Sequence, residues 1–128
     1  MWTISAQEIM KYPLGVGTGN VDDYLTESLE SYGLHELAKK KYNPHNQFLQ
    51  TALEIGVPGL AILLIFLFSV TRVAWQTRNK LLLLVLATLV FNSMFESMLQ
   101  RQTGIVFYSF WICFLVLVSA VQKSPKNV

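Results

Sequence analysis

The side chains able to do chemistry gather at two places in this chain. His45 lies in Asn43-Pro44-His45-Asn46, while Glu96 and Arg101 flank the far end of an apolar run. Asn43 is a good N-cap and Pro44 a good first helical residue. The spacing therefore predicts a helix starting at Pro44, with His45 in its first turn. The positive end of a helix dipole disfavours imidazolium, which leaves His45 neutral and able to accept a proton. The same unpaired N–H groups attract phosphate. A general base beside an anion site suits the transfer of a group from a phosphate leaving group. A lone histidine in a cap turn is more often structural, so the residue by itself does not decide. Ionisable groups beside an apolar run are costly and often functional. Arg101 could contact phosphate, and Glu96 could hold Arg101 or a substrate hydroxyl. An ordinary interfacial ion pair is the plainer alternative.

Other polar residues carry less. Glu54 is nine residues beyond His45 and faces the opposite side of one helix, so the two form neither a dyad nor a metal pair. His35 falls in a polar stretch and is expected to be exposed. Cys113, the one cysteine, sits inside an apolar run and can build no disulfide framework or thiolate metal site. The run Gly15-Val16-Gly17-Thr18-Gly19 lacks the lysine of a phosphate loop and the spacing of a dinucleotide fingerprint, so a flexible turn is the reading. No metal and no cofactor are expected.

The elements that position these residues are set by composition. Hydrophobic residues make up 52% of the chain and charged residues 14%, against about 25% charged in soluble domains. The net charge of +2 is too small to suggest nucleic-acid binding. Residues 1–54 are mixed and polar, and residues 55–128 hold three apolar runs, at about 56–75, 81–99 and 104–121. Each is near the length needed to cross a bilayer core as a helix. Arg72, Arg78 and Lys80 occupy the first break, and Lys123 and Lys126 the tail, which marks these as cytoplasmic. Residues 1–54 and the break between Glu96 and Gly104 then lie together on the outer, periplasmic face. The predicted fold is an all-α membrane protein, a periplasmic segment of short helices followed by three transmembrane helices. In that segment, Ser5 to Lys11 and Leu34 to Lys41 read as short helical pieces. Asp22 or Asp23 caps a helix with Leu25, Leu29 and Tyr32 on one face, ending near Gly33. The helix after Pro44 is amphipathic, with Phe48, Leu49, Ala52 and Leu53 opposite Asn46, Gln50 and Glu54. It would lie in the membrane interface and lead into the first span at Gly56-Val57-Pro58-Gly59. Trp75 and Tyr108 fit interfacial anchors.

The stretch from Pro44 to Gly59 resembles the signature of the O-antigen ligase and polymerase family, H-[NSQ]-x9-G-x2-[GTY]. His45, Asn46, Gly56 and Gly59 fill its fixed positions without departure. Tyr12 to Asn20 is similar to the family's glycine-rich segment. The resemblance implies a metal-independent glycosyltransferase with many transmembrane helices in the bacterial inner membrane. It would move a glycan from an undecaprenyl pyrophosphate donor to the hydroxyl of a lipid A core or another glycan acceptor. The matched His45 would be the base, Asn46 would bind substrate, and Gly56 and Gly59 would be structural, while Glu96 and Arg101 are the substrate-binding candidates that their charge beside the apolar run suggests. The bilayer is the other expected partner. The family's pyrophosphate-holding arginines have no counterpart here, and the late first span suggests a piece of a longer protein, inactive alone. A polymerase or protein-glycosylating relative shares the motif, and a small non-catalytic membrane subunit is the rival of a different class.

Overall fold

A computed structural model describes residues 2–39 and 44–123. The elements in chain order are α1 (Trp2–Lys11), α2 (Val21–Ser31), α3 (His35–Lys39), α4 (Gln47–Gln76), α5 (Lys80–Ser93), a 3-10 turn (Met98–Gln100) and α6 (Gln102–Lys123). The fold is all-helical among the described residues. Val21 and Leu25 of α2 pack with Leu53 of α4, and Ile9 and Val16 close the cluster. Asp22 and Asp23 do not cap α2. They fall inside its first turn, where the helix dipole favours a carboxylate, and Asn20 stands at the cap. Tyr32 leaves the buried face, because α2 ends at Ser31. Gly33 then adopts φ +75° and lets the Leu34 N–H reach the Leu29 carbonyl, 2.9 Å away.

A break at Gly56 (φ 79°, ψ −173°) divides α4. The cause is two residues on. Pro58 has no N–H for the Glu54 carbonyl, and the break also parts Val57 from Leu53. Three backbone groups are thereby freed, and the Pro13–Gly17 segment satisfies all of them. Val57 N–H donates to the Pro13 carbonyl (2.9 Å), Val16 N–H to Leu53 (2.7 Å) and Gly17 N–H to Glu54 (3.0 Å). Backbone meets backbone here. A Cβ on Gly56 would stand 2.5 Å from the Leu14 carbonyl carbon, and one on Gly15 would stand 2.6 Å from Gly56 N. The glycine run expected as a flexible turn is a docked segment with assigned hydrogen bonds.

The second half of α4 packs with α5 and α6. Leu67, Val70 and Ala74 meet Leu82, Leu86 and Leu89, with Tyr108, Ile112 and Leu115 completing the core. Two helices are long and apolar enough to cross a membrane, Gln47–Gln76 and Gln102–Val121. Only 22% and 28% of their most apolar windows are buried, so most of that apolar surface faces outward. Soluble core helices bury such surface; a membrane protein turns it to lipid. The run expected to be helical over 81–99 is helical only to Ser93. Its 14 residues span about 21 Å at 1.5 Å per residue, against a hydrocarbon core of about 30 Å. The chain turns there because its polar groups have partners. Asn92 Nδ2 donates to the Tyr108 hydroxyl at 2.9 Å, and the Met94 carbonyl accepts from Asn46 Nδ2 at 3.2 Å. Tyr108 is thus 4% exposed and bonded inside the bundle, not displayed as an interfacial anchor. Trp75 is exposed.

At the opposite end, Asn79 caps α5 by accepting from the Leu82 N–H at 3.0 Å. Its Nδ2 donates to Ser119 Oγ at 2.9 Å, which ties the basic Arg72–Lys80 break to the last turns of α6. Residues 94–101 lie at the other end, against the start of α4. Among the described residues, the Arg72–Lys80 break and the end of α6 sit at one end, and the 94–101 turn and the start of α4 at the other.

Candidate functional site

The site forms where the start of α4 meets the turn after α5. Pro44 is buried, and its carbonyl accepts from Trp2 Nε1 at 3.0 Å, which pins α1 beside it. His45 follows with φ +46°, a left-handed conformation uncommon for a residue with a side chain. Asn46 is extended (φ −153°, ψ 116°), and its Oδ1 accepts from the N–H groups of Phe48 at 3.0 Å and Leu49 at 3.1 Å. The helix therefore starts at Gln47. Pro44 and His45 precede it instead of forming its first turn, and Asn46 does the capping that the sequence suggested for Asn43. Asn43 lies outside the described residues. Two of the N–H groups that were to attract phosphate are occupied by Asn46.

The left-handed turn at His45 aims its ring at Glu96. His45 Nδ1 is 3.5 Å from Glu96 Oε2, and Arg101 Nη2 is 3.4 Å from Glu96 Oε1. One carboxylate thus stands between an imidazole and a guanidinium. Both distances exceed a good hydrogen bond, so the contacts are loose ones that substrate could tighten or replace. The side chains are 51%, 30% and 65% exposed for His45, Glu96 and Arg101, so the cluster is open to a ligand.

Of the six residues singled out from sequence, His45, Asn46, Glu96 and Arg101 come together. Gly56 and Gly59 do not join them. They lie along α4, Gly56 at the break and Gly59 under Ile55, where a Cβ would be 2.5 Å from the Ile55 Cβ. Glu54 is apart from His45 as expected, but it is not idle. Its Oε1 accepts from Gln50 Nε2 at 3.1 Å and from Gln100 Nε2. Gln47 Oε1 accepts from the Leu99 N–H at 2.6 Å, and its Nε2 donates to Thr51 Oγ1 at 3.0 Å. These bonds lock the 94–101 turn onto α4 and so fix Glu96 against His45. Of the polar stripe, Asn46 and Gln50 are consequently buried, as is Gln47 beside them, at 7%, 3% and 4% exposed, while Glu54 is half-buried. The i,i+4 pairs Gln47–Thr51 and Gln50–Glu54 were the available signal. Their shared partner, the turn at 94–101, was not inferable from spacing. Among the described residues no group of three His, Cys, Asp or Glu could hold a metal ion.

Fold and site together define an all-helical membrane protein with a polar cluster at one end of its apolar helices. The family model described as O-antigen ligase matches residues 1–64, and the chain belongs to that family. The match takes in the docked glycine segment, His45, Asn46 and the break at Gly56. Neither a curated protein nor a solved structure is matched by the chain.

Proposed function

We propose that the protein takes part in transferring a glycan from a lipid-linked pyrophosphate, of the undecaprenyl type, to an acceptor hydroxyl such as a sugar of the lipid A core. The observation that carries this is the line His45–Glu96–Arg101 inside a chain of the O-antigen ligase family. With Nδ1 turned to the Glu96 carboxylate, the imidazole carries its proton there and presents Nε2 as the acceptor. Nε2 takes the proton of the acceptor hydroxyl as its oxygen attacks the anomeric carbon. The bond from that carbon to the phosphate oxygen breaks, and the lipid pyrophosphate leaves. Glu96 stabilises the imidazolium that forms. Arg101 faces the Glu96 carboxylate and stands close enough to turn toward the leaving phosphate, which a guanidinium binds well. Asn46 holds His45 in register by fixing the start of α4.

The same reading puts the protein in the bacterial inner membrane, with this site at the periplasmic end and the Arg72–Lys80 break in the cytoplasm. α5 would complete a third, short crossing. The test is direct. Native membranes that contain the protein in its own membrane context are given a radiolabelled lipid-linked oligosaccharide and a core-oligosaccharide acceptor. Label should move to the acceptor and lipid pyrophosphate should appear. Transfer no greater than in membranes lacking the protein would overturn the proposal.

A further inference from the structure

A second polar feature lies between α1 and α2, away from Glu96. It is an open groove of about 620 Å³, within the roughly 300–1,000 Å³ of small-ligand sites. Its floor holds Glu8, a residue only 6% exposed, whose Oε2 receives no hydrogen bond among the described residues. Among the described residues the nearest cation, Lys11 Nζ, is 3.9 Å away and beyond hydrogen-bond reach. A buried carboxylate oxygen without a donor is costly and calls for one. The Glu8 carboxylate, and after it Tyr12, hold the Lys11 ammonium above the usual lysine pKa, so Lys11 remains a donor at the rim.

The walls are aromatic. Tyr12 and Tyr24 pack edge to face with centroids 5.4 Å apart, and Lys11 sits 5.1 Å from the Tyr12 ring. Tyr24 and Tyr32 are exposed. The Tyr32 hydroxyl donates to Gln7 Oε1 at 2.9 Å, which sets the amide so that Gln7 Nε2 is a further donor. Glu27 adds a second carboxylate to the lining. The groove thus offers flat apolar rings, an amide, a buried hydroxyl-accepting carboxylate and a net negative charge. Rings match the C–H face of a pyranose, and the carboxylate and amide match its hydroxyls. Two carboxylates against one ammonium disfavour a phosphate or an acidic sugar.

We propose that the α1–α2 groove is a saccharide-binding subsite for neutral or N-acetylated sugars. Its place beside the transfer site is set by α1. Trp2 at one end is bonded to the Pro44 carbonyl next to His45. Gln7, Glu8 and Lys11 are five to nine residues further on, about 8–14 Å along the helix. That is the reach of two or three sugar units, so the groove would hold the glycan whose end lies at His45. The sugar class follows from the groove itself; its part in a transfer reaction rests on the function proposed above.

The test is saturation-transfer NMR on the full chain in a detergent without a sugar headgroup, with maltotriose and chitotriose as probes. Saturation of sugar ring protons is expected with at least one of them. Tyr24→Ala and Glu8→Gln should each weaken it about tenfold or more, the loss expected for a removed contact to a charged or aromatic partner. Helical content by circular dichroism should be unchanged, and Tyr24→Phe should retain binding. No saturation with either sugar, or full saturation in both Tyr24→Ala and Glu8→Gln, overturns the subsite. So does displacement of the sugar by inorganic pyrophosphate. Sugar binding without any transfer would sink the transferase reading and leave the groove standing. Transfer with an unchanged KM in Tyr24→Ala would do the reverse.

Discussion

Gly15 and Gly56 meet where the Pro13–Gly17 segment docks on α4, and neither has room for a side chain. A Cβ on Gly15 would lie 2.6 Å from Gly56 N, and a Cβ on Gly56 would lie 2.5 Å from the Pro13 carbonyl oxygen. Both have positive φ, +84° and +79°. Gly56→Ala must therefore bear left-handed strain and a backbone clash at once. The expected loss is about 2–5 kcal/mol of stability, adding the two effects. Gly19 has φ +94° with nothing within 4 Å of a built Cβ, so Gly19→Ala should lose only about 1–2 kcal/mol. Thermal unfolding of both variants in detergent makes the comparison. Equal melting temperatures would show that the Pro13–Gly17 segment is not docked on the break.

This docking also shows what was legible in the sequence. The helical class and the outward apolar surface came from composition and long apolar runs, because lipid-facing helices leave those marks. His45, Glu96 and Arg101 were singled out by type and position and Asn46 by the family motif, and the turn at 94–101 brings the four together. The start of α4 was misplaced by three residues because Asn43-Pro44 is as good a cap signal as Asn46. What decides is His45 at φ +46°, a local conformation that no propensity announces. The end of α5 was set six residues too far, at 99 instead of Ser93, since apolar residues continue past Ser93 while Asn46 and Tyr108 capture the chain. Gln47 and Gln50 look like surface residues in sequence. Their burial depends on contacts between residues about fifty apart, which spacing does not encode.

Asn79 and Ser119 tie the basic break to the end of α6, so the arrangement of ends makes a topological prediction. In a Cys113→Ser background, Gln76→Cys should be shielded from an impermeant thiol reagent in intact cells whose outer membrane has been opened. Asp23→Cys should react. Both positions are exposed in the fold, so access is decided by the membrane alone. Labelling at 76 with protection at 23 would invert the proposed orientation.

Glu96 should act by positioning, and the size of its effect is bounded by geometry. Its contacts are 3.5 Å and 3.4 Å long and partly solvated. Pairs of that kind contribute about 0.2–1 kcal/mol, or roughly 1.4- to 5-fold. Glu96→Gln should thus lower kcat of glycan transfer several-fold with KM for the acceptor little changed, and Glu96→Asp should restore part of it. Arg101→Ala should instead raise KM for the lipid-linked donor, more steeply at low salt, if the guanidinium turns to the pyrophosphate. A Glu96→Gln enzyme with unaltered kcat would make the His45 contact incidental.

His45 can be tested with its backbone strain as an internal control. A side-chain-bearing residue at φ +46° costs about 1–2 kcal/mol relative to glycine, and asparagine tolerates the same region. If His45 were there for structure, replacement by glycine or asparagine would relieve that strain and leave the rate per folded molecule near normal. If it is the base, both variants should fold within about 1 kcal/mol of the native protein while losing about 10²- to 10⁴-fold in transfer rate. Stability and rate then move independently, which a purely structural residue cannot produce. The strain itself fits this reading, since residues held in sparsely populated conformations gather at functional sites, where the surrounding structure keeps them in place. Here the surroundings are the buried Pro44, held by Trp2, and the cap at Asn46. Folded protein is measured by circular dichroism and size-exclusion profile, and rate by label transferred from the lipid-linked donor. Normal transfer by His45→Gly and His45→Asn would remove the imidazole from the mechanism and leave the strain at that position without a purpose.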